Sequence, residues 1–558
     1  MITRRALLQR AAQAAAQVAA QAAAGAAALT VVAPQVVGAA PALVGLTQKG
    51  RVIGGGFVDD DAAAGHALRD GGVTPTHART ERTVAVAIVG GGIGGLSAAW
   101  RLDARGLTDW TLLELGAQLG GNARSAEYPG LDGLRAPWGA HYLPVPATHA
   151  VHVRELCREL GLLSPTGEWD ETVLCHAPQE RIWHHGRWRE GLDPLDAATA
   201  AERRQFAQFE SLVAEWRASG MFSVPSAQGH AVREEARRRG GLAARRARDV
   251  EALDRVTADQ WLRSLRLDAP ALRWWVEYGT RDDYGASLQQ ASAWAAMHYF
   301  AARGEEELGP LTWPEGNDYL VRALTRRLSR RGDARGRPRL QAAAPVLQLE
   351  RRGTAWQLDT PRERIIAEAV VWAAPLFVLP RVLRTAVLPV RIEYAPWMVA
   401  NLVLDRPPAE RGAPMAWDNV IYGSSALGYV NAQHQQLGTP RTTQLWTWYH
   451  ALTDRSAVEA RQQLRDTPWS AWRDHIIADL QRAHPDIAQR LVRIDIRRWG
   501  HAMARPVPGA LARIQALQAW QPGPRLFMAH ADLSNLSLFE EAQWHGVAAA
   551  DRVVRALQ

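Results

Sequence analysis

Lysine is almost missing from this chain. Lys49 is the one lysine in 558 residues, so arginine carries nearly all the positive charge behind a formal net charge of +8. Such a skew follows base composition rather than a nucleic-acid surface. The densest basic run, Arg237–Arg248, sits between Glu234-Glu235 and Asp249, as a solvated helical face does. No nucleic-acid partner is expected. Cysteine is equally sparse: Cys157 and Cys175 can pair only if the fold brings them together, and they make no metal-ligand pattern. The histidines are poorly spaced for a metal. His184-His185 falls in a hairpin-like RIWHHGRWRE turning near Gly186, which predicts side chains on opposite faces, while His141, His434, His501 and His530 stand singly. No metal site is expected.

A long, strongly apolar run is lacking too. Ala11–Gln48 has no charged residue, but Gln13, Gln17 and Gln21 dilute it, so it is a poor membrane anchor and no stable span is expected. Ahead of it, Thr3-Arg4-Arg5-Ala6-Leu7-Leu8-Gln9 resembles the twin-arginine export signal. That resemblance implies a signal peptide over 1–40, cleaved near Ala26–Ala28 or near Gly38–Ala40. It also implies passage of the folded protein through the twin-arginine machinery, and a periplasmic or secreted location. Residues 41–82 form a polar lead-in. There Gly54-Gly55-Gly56 precedes Asp59-Asp60-Asp61, which predicts a turn or loop rather than a nucleotide site.

What is present begins with size. At 558 residues, 47% hydrophobic and 22% charged, the chain is an ordinary globular protein long enough for two or more interleaved domains. Val84–Val89 is an apolar run of the kind that forms a buried parallel strand. Gly90, Gly92 and Gly95 follow in G-x-G-x-x-G spacing, with Ile93 and Gly94 between them opening a helix that Gly106 can end. The first glycine permits the tight turn, the second lets backbone approach a pyrophosphate, and the third allows close helix–strand packing. The helix N-terminus then turns free N–H groups toward the phosphates. Thr111–Leu115 supplies a second strand, and Glu114, 24 residues beyond Gly90, stands where an acid grips ribose hydroxyls. This order predicts a dinucleotide-binding βαβ unit.

Beyond Glu114 come Gly120, Gly121, Arg124 and Ser125, a GG-x-x-R-[ST] element, and then Gly133–Leu143, GLRAPWGAHYL. These resemble the flavin-containing amine oxidoreductase superfamily, which includes amine oxidases, phytoene desaturase-like enzymes and protoporphyrinogen oxidase. Four further stretches are similar to that family: Trp313–Leu324, Pro345–Leu349, Ala369–Pro375, and Leu526–Asp532 with a helix from about Glu541. The resemblance implies FAD as the cofactor and an α/β fold. A Rossmann-like FAD-binding domain of the glutathione reductase-like flavoprotein type is interleaved with an α+β substrate domain. It assigns cofactor contacts to Gly90, Gly92, Ile93, Gly94, Gly95, Glu114, Gly120, Gly121, Arg124, Val346, Ala374 and Asp532. The implied FAD domain covers 83–149, 312–375 and 495–558; the substrate domain covers 150–311 and 376–494. The implied reaction is hydride transfer to flavin N5 from a C–H bond of a small molecule, next to an amine nitrogen. Alternatives are a desaturase or isomerase working on an apolar or polyene substrate, an NAD(P)-dependent dehydrogenase, and a non-catalytic FAD-binding protein. One departure matters: many amine oxidases of the family place a lysine near flavin N5, and Lys49 precedes the whole nucleotide fold. That puts a true oxidase in doubt and leaves dehydrogenase, desaturase and isomerase variants open.

The inserted segments carry aromatics and capping signals. Leu192–Trp216 has helical spacing, Thr257–Gln260 is a capping box, and Met398–Leu404 and Gln444–Tyr449 read as strands. Of the 23 tryptophans, Trp274, Trp275 and Trp294 surround Arg281-Asp282-Asp283-Tyr284, and Trp417, Trp446 and Trp448 fall in the second insertion. Such faces can dry a hydride-transfer site and hold a cation, or they can simply be core. Asp282 and Asp283 can bind a substrate ammonium or pair with Arg281 or Arg273. The candidate catalytic residues are therefore His141, Asp282, Tyr284 and His530.

Overall fold

The computed structural model of the chain describes residues 52–558 apart from 72–79, 129, 130, 132, 304–307, 333–335 and 437–440. The expected export signal and Lys49 lie outside the described residues. The apolar run around Val84 is a strand, Thr80–Val89, in the middle of a seven-stranded sheet. Trp110–Leu113 and Glu363–Trp372 flank it in parallel, and Leu340–Gln341 lies beyond the former. Leu526–Met528 runs parallel to the end of Glu363–Trp372, while Gln348–Arg352 and Ala355–Asp359 extend that strand as an antiparallel pair. Near-continuous apolar strands are what a parallel sheet covered on both faces requires.

Two helices cover one face of this sheet. Ile93–Ala104 follows the glycine turn, and Phe539–Leu557 packs along it. Their contact is backbone on backbone. A side-chain carbon at Gly94 would lie 2.1 Å from the Ala529 carbonyl oxygen, and one at Gly546 would lie 2.2 Å from the Gly94 carbonyl oxygen. Arg101 of the first helix ion-pairs with Asp551 of the last at 2.9 Å. The C-terminal segment is thus built against the N-terminal turn.

A second sheet of eight strands is organised around Tyr394–Leu404, in which every residue is buried. Leu491–Ala504 and Gln444–Ala451 flank it, and Gly428–Asn431, Asp418–Ile421 and the hairpin Glu180–His184/Arg187–Glu190 continue it. The 14-residue strand Leu491–Ala504 belongs wholly to this sheet, so the expected FAD-domain segment 495–558 starts inside a strand of the other sheet. The polar lead-in also contributes here. Gly54–Phe57 is a strand, not a turn, pairing in parallel with Leu491–Ala504. Glycine suits that edge because a Cβ at Gly55 would meet the Ile494 carbonyl oxygen at 1.9 Å.

Helices between Ala200 and Ala301 form a separate layer with its own core, including Phe206, Phe209, Leu272 and Trp294. The first begins at Ala200 rather than Leu192, because Pro194 disfavours helix before it and Thr199 with Glu202 closes a capping box. The predicted box at Thr257–Gln260 caps Ala258–Ser264. Cys157 and Cys175 are buried and unbridged. Among the described residues, no helix is long and apolar enough to cross a membrane.

Candidate functional site

The glycine turn is a cradle made of backbone. Gly92 caps the Ile93–Ala104 helix without any side-chain hydrogen bond, which leaves the N–H groups of the first turn for a ligand. Opposite stands Gly121, where a Cβ would come within 3.3 Å of the Gly92 Cα; Gly120 N–H donates to the Gly91 carbonyl at 2.8 Å. Glu114 directly follows its strand. Its carboxylate accepts from Gly91 N–H at 2.7 Å and from Gly116 N–H at 2.8 Å, fixing the turn's shape. Val346 lies buried in the loop ahead of Gln348–Arg352 rather than in a strand. That loop runs beside Glu114, with Ala344 N–H donating to the Glu114 carbonyl at 2.8 Å. Arg124 donates to the Gly121 carbonyl at 2.9 Å and faces an outer cleft it shares with Arg497 and Arg498.

Asp532 is brought to this cradle through one short segment. A Cβ at Gly90 would sit 2.7 Å from Ala374 N, and two residues on, Leu376 N–H donates to Asp532 Oδ2 at 2.9 Å. Tyr394 O–H donates to the same oxygen at 2.6 Å. Burial alone would raise this carboxyl, but His530 beside it and these two bonds hold it below the usual range. Its other oxygen, Oδ1, is buried and lies 3.2 Å from His530 Nδ1. An uncapped helix start, a glycine-lined gap and a buried carboxylate are donors and acceptors of the kinds a dinucleotide's phosphates and polyol need, so the residues fit such a cofactor.

A cavity of about 370 Å³ adjoins the cradle. One end reaches Asn122, next to Gly121, and Ser537–Phe539, where the last helix begins. Gly139–Tyr142 lines it, held by Ala140 N–H donating to the Asn122 carbonyl at 3.0 Å and Tyr449 O–H donating to the Gly139 carbonyl at 3.1 Å. Its wall is aromatic: the His141 ring centre lies 4.5 Å from Tyr449, 4.9 Å from Tyr142 and 5.5 Å from Trp417. Its charge is one-sided. Seven lining residues are Asp or Glu and two, Arg217 and Arg303, are Arg, which favours a cationic occupant. Burial, with Glu180 and Asp282 nearby, pushes Asp418 well above the usual carboxylate range. Burial pushes Glu210 and Glu540 up to about 7, and lowers His141 to about 4, so that His141 is neutral at neutral pH.

Of the four candidate catalytic residues, the structure brings His141 and Asp282 to the cavity. Tyr142 O–H donates to Asp282 at 3.3 Å. Neither predicted arginine pairing forms for the aspartates: Asp283 pairs with Arg303 at 2.7 Å, Arg281 donates to the Ser424 and Ser425 carbonyls, and Arg273 pairs with Asp259. Tyr284 is a core residue, bonded to His298 Nδ1 at 3.0 Å within the helical layer. His530 caps the turn before Asp532, its Nδ1 accepting from Asp532 N–H at 3.1 Å. The predicted opposition of His184 and His185 also fails. His185 takes the left-handed backbone of the hairpin turn (φ 48°), which breaks the strand alternation and sets the two rings 4.0 Å apart. With Asp196 they form a group of possible ligands, but the Arg189 guanidinium already pairs with Asp196. Sequence reasoning missed Glu210, Glu540 and Arg303. Nothing in their local sequence separates them from a solvated helix face or a helix N-terminus.

Comparison with known proteins agrees with this geometry. Residues 88–160 match the NAD(P)-binding Rossmann-like domain. A Baeyer-Villiger monooxygenase of Streptomyces coelicolor is 44% identical over 54 residues, which is 10% of this chain and 10% of that protein. Among solved structures, wild-type putrescine oxidase bound to putrescine superposes with a TM-score of 0.61 at 15% identity, covering 85% of this chain and all of that one. The chain shares that fold. Cyclohexylamine oxidase from Brevibacterium oxydans matches with a TM-score of 0.59 at 15% identity, over 85% of this chain and 99% of that one. A CLA-producing fatty acid isomerase from P. acnes matches with a TM-score of 0.57 at 16% identity, over 85% and 98%.

Proposed function

We propose that the protein is an FAD-dependent oxidoreductase that removes a hydride from a C–H bond next to an amine nitrogen of a small molecule. The carrying observation is the aromatic, carboxylate-rich cavity that adjoins a dinucleotide cradle. The flavin ring, when bound, supplies the two-electron acceptor. Gly92, Gly121 and the first turn of Ile93–Ala104 would hold its phosphates, Glu114 a ribose, and Asp532 the polyol linker. On the substrate side, Tyr142, Trp417 and Tyr449 exclude water and offer ring faces to a cation. Asp282 faces the ammonium, and Asp418, whose burial favours its neutral form, accepts a hydrogen bond from it. Loss of hydride from the neighbouring carbon leaves an iminium, which water hydrolyses. The amine gives up its ammonium proton to water before hydride leaves, and His141, kept neutral by burial, can accept a hydrogen bond from its nitrogen.

Several outlying readings join this proposal. The cofactor-binding part is discontinuous in sequence, and the segments between its pieces make the substrate domain. The twin-arginine-like Thr3–Gln9 supports export of the folded, loaded protein to the periplasm. A second reading, a desaturase or isomerase of an apolar substrate, is favoured by the fatty acid isomerase fold match, but the excess of cavity carboxylates counts against it. The purified protein is expected to be yellow and to bleach without oxygen on addition of an amine. Colour that only apolar substrates bleach would favour the second reading. A colourless protein that binds NADH would remove both.

A further inference from the structure

The hairpin Glu180–His184/Arg187–Glu190 carries a side-chain cluster that is not part of the cavity lining. Its turn is the pair His185-Gly186, with φ of 48° and 74°. That is the left-handed geometry of a two-residue hairpin turn, for which asparagine–glycine is the favoured pair. Histidine in this place brings its ring to 4.0 Å from that of His184. His184 is held from its other side: its Nδ1 shares a hydrogen bond of 2.5 Å with Asp196 Oδ1, and its ring lies 4.5 Å from Tyr422. Asp196 comes on a turn fixed by Ala198 N–H and by Arg203, which donate to the Leu195 carbonyl at 3.1 Å and 2.7 Å. Among the described residues, His184, His185 and Asp196 are the trio of His, Cys, Asp or Glu whose ligand atoms all fall within 4.8 Å of one another.

Arg189 engages the same carboxylate without using it up. Its Nη2 pairs with Asp196 Oδ2, whereas Oδ1 faces His184. Burial alone would raise the Asp196 carboxyl, but His184, Arg189 and His185 hold it below its usual range, so it is charged at neutral pH. Two imidazoles and one carboxylate are the donor set of a borderline divalent transition ion, whereas magnesium and calcium favour oxygen throughout. An ion here replaces the proton that His184 and Asp196 share. It also ties together the two ends of segment 184–196, whose middle, Glu190–Leu192, lines the cavity.

We propose that His184, His185 and Asp196 bind a divalent transition ion of the zinc and copper class at the hairpin turn. The ion takes one ring nitrogen from each histidine and Oδ1 of Asp196, and water completes its shell. Arg189 stays on Oδ2 and keeps the carboxylate oriented, the part that an outer partner plays around a metal ligand. Because the three side chains meet only when the hairpin and the turn after it are folded, the ion stabilises that arrangement over the open chain.

The test is calorimetric titration of the tag-free protein with Zn2+, with Mg2+ as the hard-cation control, together with electron paramagnetic resonance of the Cu2+ adduct. Zn2+ is expected to bind and Mg2+ not to compete, and the copper spectrum should show hyperfine coupling to imidazole nitrogen. His185→Asn is the deciding variant, because asparagine suits the left-handed position before Gly186 and so removes a ligand while keeping the turn. It and Asp196→Asn should each weaken Zn2+ binding by about tenfold or more, since loss of even an outer partner of a metal ligand costs about 10–100-fold. Zn2+ should raise the melting temperature of the parent protein and leave that of His185→Asn unchanged. Absence of Zn2+ binding by the parent overturns the site, as does a copper spectrum without imidazole coupling. Binding that both substitutions leave intact overturns it too, since the ion is then held elsewhere. Should Asp196→Asn fail to fold, His185→Asn and the copper spectrum carry the decision.

Discussion

The cofactor cradle and the cavity beside it are built by opposite means. The cradle is backbone: glycines at 92 and 121 face each other, amide groups point inward, and Glu114 fixes the turn through two N–H groups. The cavity is side chain: His141, Glu210, Asp282, Trp417, Tyr449 and Glu540 reach it from segments far apart in sequence. A backbone site leaves its trace in consecutive residues, because turn geometry demands particular residue types at fixed offsets. A side-chain site leaves its trace only after folding. The former therefore tolerates little local change, and the latter can be retuned residue by residue.

The sharpest break in that contrast is a side chain on the backbone contact. Gly94→Val places its Cβ against the Ala529 carbonyl and should cost about 3 kcal/mol, at the upper end of overpacking penalties. The expected outcome is colourless or insoluble protein, read by flavin content and circular dichroism. Glu114→Ala comes next. It strips the acceptors from Gly91 and Gly116 N–H, so flavin retention after gel filtration should fall about tenfold, in line with roughly 1–3 kcal/mol for buried donors left unpaired.

On the cavity side the expected effects are smaller and follow pH. Glu540 binds its proton more tightly folded, at about 7, than unfolded, near 4.5. The native state thus holds more protons between those values, and its contribution to stability is lost as pH rises from about 4.5 to about 7, with no further loss above. Melting temperature should decline across that window, and Glu540→Gln should flatten the decline. An unchanged slope would mean that the carboxyl is solvated. The least expected change comes from Tyr449→Phe. Losing the 3.1 Å bond to the Gly139 carbonyl should lower amine turnover about fivefold, about 1 kcal/mol, with flavin content kept.

How much could be read beforehand follows the same division. The strand from Val84, the glycine turn, Glu114 and Asp532 were all legible, since each is announced by its neighbours in sequence. Val346 stands in the loop before Gln348–Arg352, because an apolar run such as Pro345–Leu349 does not by itself fix where a strand begins. Tyr284 misled for a geometric reason. Trp274, Tyr278 and Asp282 recur every four residues on one helix face, and Trp274 stacks on Tyr278 at 5.7 Å, while Tyr284 turns to the core behind them. That i, i+4 stripe was the available signal. Glu210 had none, for a glutamate in a capped surface helix reads as solvated until the opposite wall is in place.

The pairing of Leu526–Met528 with Glu363–Trp372, and of the final helix with the first, also sets an order of events during synthesis. The face of Ile93–Ala104 that carries Gly94 stays bare until nearly the whole polypeptide has left the ribosome. A nascent or prematurely stopped chain can form the glycine turn but cannot shut it from behind. A dinucleotide that needs the closed turn is therefore expected to be captured only after Phe539–Leu557 has been made.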